Sequence, residues 1–260
     1  MTHARRISIL ILAFLFVLSF SSAGWPALTG VVVLYGKGGT TKLVTRFMET
    51  LRKAGFMVIV PDLPYSEGNW EKPYQDNVAA VDKAITALKK QGVTRVFLAG
   101  HSLGANVAPY VATQLTVDGV VAMGAGHVPE AKGYASRVSS DVEKARRMVA
   151  QGKADTRAVF DDYDQGQKLQ RKATAAIYLS YVDPEGPAVM PRNAAVLTPG
   201  TALLWVVGTR DNMSERGSSY VFDKVPPHPR NKYLVVDSDH ANVPTDAAEQ
   251  IVAWLKEFDR

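Results

Sequence analysis

The 260-residue chain contains no cysteine. That absence excludes disulfides, a cysteine nucleophile, thiolate-bound metal and a lipid-modified N-terminal cysteine, whichever compartment the chain occupies. The chain also lacks a long hydrophobic run. The longest, Ile7 to Phe20, is about fourteen residues, short of the ~20 that cross a bilayer as a helix. Neither sign of charge dominates: 30 basic and 25 acidic residues give a net charge of +5. They are interleaved, as on a solvated surface, and form no basic block of the kind that binds nucleic acid. What is plentiful is apolar material, 47% of the residues, enough for one sizeable domain to bury a core without staples.

The N-terminus reads Arg5-Arg6, then the apolar run Ile7 to Phe20, then Ser21-Ser22-Ala23-Gly24. Basic, hydrophobic and small residues in that order are what a secretory signal peptide requires, and cleavage is expected after Ala23. Residues 1–23 would then be removed, leaving 24–260 as a periplasmic or secreted domain with no stable membrane span and a net charge of +3. An uncleaved N-terminal anchor is the alternative.

Beyond the leader, short β-branched runs alternate with helical patterns, the rhythm of a doubly wound α/β domain with a mostly parallel sheet of about six strands. Val31 to Tyr35 is the first such strand and ends in Gly36-Lys37-Gly38-Gly39. This is not a phosphate-binding P-loop, because Lys37 is followed by glycine rather than serine or threonine. A helix through Leu43 to Leu51, the strand Met57 to Val60 and a helix through Val78 to Leu88 follow. Strands are also expected at Arg95 to Ala99, Gly119 to Met123, Ala202 to Val207 and Tyr233 to Val236, with a closing helix through Ile251 to Phe258. Pro109 falls about two turns into the helix after Ser102 and should kink it.

Between the last-but-two and last-but-one strands, residues 129–200 break the rhythm and read as a helical, lid-like insertion. Ser140-x-x-Glu143 can cap a helix ending near Gly152, and Leu169 to Tyr181 has the pattern of a second helix. Tyr134, Phe160, Tyr163, Tyr178 and Tyr181 either form the core of this insertion or line a pocket beneath a lid.

The chemistry is concentrated at Gly100-His101-Ser102-Leu103-Gly104, where the strand ends and a helix begins. The backbone must bend so sharply there that a side chain two residues before or after Ser102 would collide with its neighbours. Ser102 is thereby exposed at the tip, near the positive end of the following helix. Asp211 and His240 each follow a predicted strand, so all three residues gather at the carboxyl edge of the sheet, where open α/β sheets bind ligands. Asp237 and Asp239 are the other acids near His240. Asp211 is preferred because an acid beside the histidine on one loop would have to reach around to the far ring nitrogen.

With serine, acid and histidine in that chain order, residues 28–260 resemble the α/β-hydrolase family. The resemblance implies Ser102 as nucleophile, His240 as general base and Asp211 as its orienting acid. It also implies an oxyanion hole made by the backbone N–H groups of Leu103 and of Lys37 or, one residue on, Gly38. Tyr35 stands where the family usually has histidine, and the Lys37 side chain is expected on the solvated surface. Haloalkane dehalogenases and epoxide hydrolases carry aspartate at the elbow, and dienelactone hydrolases cysteine, so Ser102 fits neither group. The expected activity is a cofactor-independent, metal-free serine hydrolase acting on carboxylic esters, with a small-molecule ester or acyl compound of any chain length as its partner. Thioesterase, amidase or acyltransferase chemistry would use the same residues, and a non-catalytic binding module of the same fold is the alternative from another class.

Overall fold

The computed structural model describes residues 28–68 and 70–259; the expected leader, residues 1–23, lies outside the described residues. The chain forms β1 (Thr29–Leu34), α1 (Thr45–Lys53), β2 (Met57–Ile59), α2 (Asn77–Lys90), β3 (Arg95–Ser102), α3 (Leu103–Ala112) and β4 (Gly119–Ala125). Next come α4 (Lys132–Ala150), β5 (Arg157–Asp164), β6 (Gln167–Thr174), α5 (Ala175–Val182) and α6 (Met190–Ala195). Then β7 (Ala202–Gly208), β8 (Lys232–Val236), α7 (Val243–Asp246) and α8 (Ala248–Lys256) complete the domain. Among the described residues, no helix is long and apolar enough to cross a membrane.

Six strands make one parallel sheet in the order β2-β1-β3-β4-β7-β8. The central strands are apolar throughout because helices cover both faces: every residue of β1, β4 and β7 is buried. From β1 the chain moves outward to β2, then returns past β1 to β3. Right-handed crossovers in opposite directions place α1 and α2 on opposite faces. Accordingly α1 packs with α7 and α8, while α2 packs with α3. The reversal between β1 and β3 opens a crevice at their carboxyl ends, the topological switch point where such sheets bind ligands. Leu34 of β1 pairs with Gly100 of β3, so the loop after β1 and the elbow after β3 emerge side by side.

The insertion differs from its sequence pattern in two places. The stretch expected as a helix from Leu169 to Tyr181 is strand β6 up to Thr174, paired antiparallel with β5, and becomes helical only at Ala175. Thr174 caps that helix by accepting a hydrogen bond from the Ile177 N–H at 3.2 Å. The helix ending at Ala150 starts at Lys132, so Ser140 lies in its interior and caps nothing. Its inner face is Val138, Val142 and Ala145, a spacing that carries the helix past the expected start. Pro109 sits inside α3, buried among its neighbours, and the helix continues to Ala112; nothing in the structure gives this proline a functional role.

Candidate active site

The elbow shows why its glycines are required. Ser102 has φ 55° and ψ −118°, a backbone conformation strained for any residue with a Cβ. The bend drives α3 back against β1 and β3. A Cβ on Gly100 would lie 2.1 Å from the Gly104 carbonyl oxygen, and one on Gly104 would lie 2.2 Å from that of Leu34. Both are backbone atoms that cannot move aside. The end of β4 and the residue after it are trimmed for the same reason: a Cβ on Gly126 would come within 2.9 Å of Ser102 Oγ, and one on Gly124 within 3.0 Å of Asp211 Oδ2.

The loops after β7 and β8 bring the other two residues to this point. Ser102 Oγ lies 3.1 Å from His240 Nε2, and Asp211 Oδ2 accepts from His240 Nδ1 at 2.8 Å. Asp211 is buried, and its second oxygen accepts the Met213 N–H at 2.9 Å, which fixes the carboxylate. Neither rival acid reaches the ring. Asp237 faces solvent and pairs with Arg210, while Asp239 accepts from the N–H and Nδ2 of Asn242 at 2.9 and 3.0 Å.

The loop after β1 lies against the elbow, since a Cβ on Gly36 would sit 3.1 Å from Ser102 Cβ. Its turn closes through Gly39 N–H to Gly36 O at 3.0 Å. Leu103 is the first residue of α3, so its N–H has no intrahelical acceptor and is available beside Ser102. Tyr35 gives the loop a support of its own: its hydroxyl accepts the Leu63 N–H at 3.1 Å, and its carbonyl accepts the Tyr65 hydroxyl at 3.0 Å.

The Lys37 side chain corrects the sequence expectation. It is not on the surface; its ammonium is buried and donates to Asp162 Oδ1 and the Tyr163 carbonyl, both at 2.9 Å. Asp162 also accepts from Arg171 Nε at 2.9 Å and the Tyr134 hydroxyl at 2.7 Å. Burial opposes charge on Asp162, but Lys37 and Arg171 outweigh it and hold the carboxyl well below its usual range. Burial, aided by the Asp162 charge, pushes the Tyr134 phenol up, so it remains a hydrogen-bond donor.

Two further histidines escaped the sequence reading. His101 donates from Nε2 to the His240 carbonyl at 2.8 Å, and burial pushes its imidazolium down to about 4. His127, with φ 61°, donates from Nε2 to the Tyr181 carbonyl at 2.7 Å, and burial and Lys37 push it down to about 3. Both rings are therefore neutral at physiological pH. His101 was visible inside the elbow pentapeptide, yet its partner lies 139 residues away.

A cleft of about 440 Å³ adjoins His240 and is lined by Gly126, Tyr134, Arg137, Tyr163 and Met213. The insertion's aromatics thus divide: Phe160 and Tyr178 stack on each other in its interior, Tyr181 packs against Trp70 and Tyr74 before α2, and Tyr134 and Tyr163 face this cleft. A larger cavity of about 660 Å³ lies between the segment after β2 and α2 and includes none of Ser102, Asp211 or His240. Among the described residues, no group of three or more His, Asp or Glu side chains converges to hold a metal ion.

The same architecture occurs in solved structures. A monoacylglycerol lipase from Paleococcus ferrophilus superposes with a TM-score of 0.64 at 19% identity, over 88% of this chain and 94% of that one. A highly thermostable carboxyl esterase from Bacillus coagulans, in complex with glycerol, gives 0.63 at 13% identity, over 91% and 92%. Est1E from Butyrivibrio proteoclasticus gives 0.55 at 17% identity, over 90% and 87%. No curated protein matches the sequence. Residues 12–254 match the sequence profile of the Alpha/beta hydrolase family. With that match over nearly its whole length, a six-stranded parallel sheet and a serine elbow at the switch point, the chain belongs to the α/β-hydrolase family.

Proposed function

We propose that the protein is a serine hydrolase that cleaves small carboxylic esters through an acyl-enzyme on Ser102. The observation that carries the reading is the continuous line from Ser102 Oγ through the His240 ring to Asp211, at 3.1 and 2.8 Å. In this reading Oγ attacks the ester carbonyl carbon while His240 Nε2 takes the hydroxyl proton, and Asp211 stabilises the resulting imidazolium. The carbonyl oxygen becomes an oxyanion facing the N–H groups of Leu103 and Lys37. One such donor is worth about 2.7–4 kcal/mol of transition-state stabilisation. Collapse breaks the bond to the leaving alkoxide, which takes the proton from His240. Water then repeats the sequence on the acyl-enzyme, releasing the carboxylic acid and restoring Ser102.

The ester-cleaving proteins among the structural relatives support the substrate class. The mixed polar and aromatic lining of the 440 Å³ cleft supports small esters over long acyl chains. The same proposal includes export: removal of residues 1–23 yields a mature protein beginning at Gly24, which intact mass would show.

The test is intact mass after exposure to a fluorophosphonate probe, with Ser102→Ala and His240→Ala alongside. A single adduct that disappears in both variants is expected. A folded wild-type protein that takes up no probe would overturn the reading in favour of a binding module. Parallel assays with p-nitrophenyl, thioester and anilide substrates separate esterase from thioesterase and amidase.

A further inference from the structure

Lys37 belongs to two parts of the molecule at once. Its peptide lies in the loop beside Ser102, and its ammonium lies in the insertion, bound to Asp162 and the Tyr163 carbonyl. Burying a charged lysine is unfavourable unless fixed partners offset it. Here the Lys37 and Asp162 side chains are 3% and 0% exposed. The partners are themselves anchored. Arg171, which shares Asp162, donates to the Gly68 carbonyl and lies over the Trp70 ring at 5.0 Å, and Tyr134 donates to the same carboxylate.

Apart from the turn bond from Gly39 N–H to Gly36 O, the loop has little else to hold it at that point. Gly36-Lys37-Gly38-Gly39 has one side chain, and three glycines leave its backbone free to sample many conformations. A Cβ at Gly38 would meet nothing within 4 Å among the described residues, and Gly39 has φ 70°. Tyr35 ties down only the start of the loop.

We infer that the Lys37 side chain is a positioning residue: through its ion pair with Asp162, the β5–β6 hairpin fixes the residue-37 peptide N–H at the oxyanion site. The insertion is then part of the catalytic frame rather than a cover that swings clear of it. The inference rests on the serine-hydrolase reading. Because the oxyanion exists in the tetrahedral intermediate and its flanking transition states but not in the bound ester, disturbing its donor lowers kcat and leaves substrate binding largely alone.

The experiment measures kcat and KM on p-nitrophenyl acetate, with thermal melts, for the wild type, Ser102→Ala, Lys37→Met and Asp162→Asn. Lys37→Met keeps the peptide N–H and the aliphatic stem but loses the anchor. It is expected to lower kcat about 10–100-fold, with KM within about threefold. Affinity for a trifluoromethyl ketone, which forms an oxyanion adduct on serine, should fall in step with kcat. Asp162→Asn keeps the volume and leaves Lys37 the Tyr163 carbonyl, so a smaller loss of kcat, about 3–10-fold, is expected. A folded Lys37→Met with kcat within threefold of wild type overturns the inference, as does a change confined to KM. If Lys37→Met does not fold, an unchanged kcat in Asp162→Asn overturns it. A wild type with no turnover above Ser102→Ala defeats the hydrolase reading itself, an outcome that no Lys37 variant produces.

Discussion

His101 donates a hydrogen bond from Nε2 to the backbone carbonyl of His240 at 2.8 Å, so the elbow that presents Ser102 also holds the main chain of its histidine partner. The two rings lie 5.1 Å apart, centroid to centroid. His101→Phe fills the space without the donor. It should lower kcat/KM about tenfold, because small displacements of a reacting group are costly, while Ser102 still reacts slowly with a fluorophosphonate. His101→Gln, which can donate to the same carbonyl, should recover most of the activity. Equal losses in both would mean that ring packing, not the hydrogen bond, sets the position.

Stability should fall as the solution becomes mildly acidic. His101 and His127 stay neutral in the folded chain down to about 4 and 3, whereas the unfolded chain takes up their protons near the ordinary 6.5. The unfolded state therefore binds more protons as pH drops below 6.5, and the folded state loses ground through that window. By pH 5.5 the two rings together should remove about 3 kcal/mol relative to pH 7.5. Urea unfolding at the two pH values checks this, and His127→Asn should reduce the difference by about half. Asp162, with its carboxyl held low, adds its own loss only below the ordinary carboxylate range.

Among the three acids near His240, only Asp211 should matter for turnover. Asp211→Asn should reduce kcat by about 10⁴-fold through loss of ring orientation and imidazolium stabilisation. Asp237→Asn and Asp239→Asn should stay within about threefold of wild type, since one pairs with Arg210 at the surface and the other caps Asn242. Steady-state assays on one ester suffice, and a large loss in Asp239→Asn would reassign the acid.

Two glycines should respond differently to a single methyl group. Gly104→Ala drives Cβ into the Leu34 carbonyl, and the protein should lose about 3 kcal/mol or more and accumulate poorly as soluble protein. Gly126→Ala comes too close to Ser102 Oγ alone of its three nearest atoms, and that hydroxyl can rotate; Ser102 Cα and His240 Cε1 stay at ordinary contact distance. That variant should fold with a near-normal melting temperature yet lose about 10–100-fold in kcat, as the hydroxyl turns away from His240.

The parallel sheet was legible because strands buried on both faces read as unbroken apolar runs, and the serine, acid and histidine were legible because each follows such a run. The β5–β6 hairpin was not, for a reason visible in its residues. Asp162 and Arg171 occupy buried positions that a strand normally fills with apolar side chains, so the alternation expected of a half-buried strand is obscured. Only the Gln165-Gly166 turn, with φ 47° and 81°, signalled a hairpin. Of the buried charges that hid the strands, Asp162 holds Lys37 and Arg171 holds Asp162. The burial of Lys37 was equally illegible, since a lysine between glycines has the composition of a solvated loop.

The separation of 138 residues between Ser102 and His240 also sets when the site can exist. The histidine follows β8, the outer strand of the sheet, which pairs with β7 alone. A sheet assembled from β1 to β7 holds the elbow and the Asp211 loop but lacks the His240 ring that lies against the Ser102 hydroxyl. Assembly of the three residues is thus a checkpoint on completed folding: a chain leaving the ribosome does not bring them together until its final strand docks.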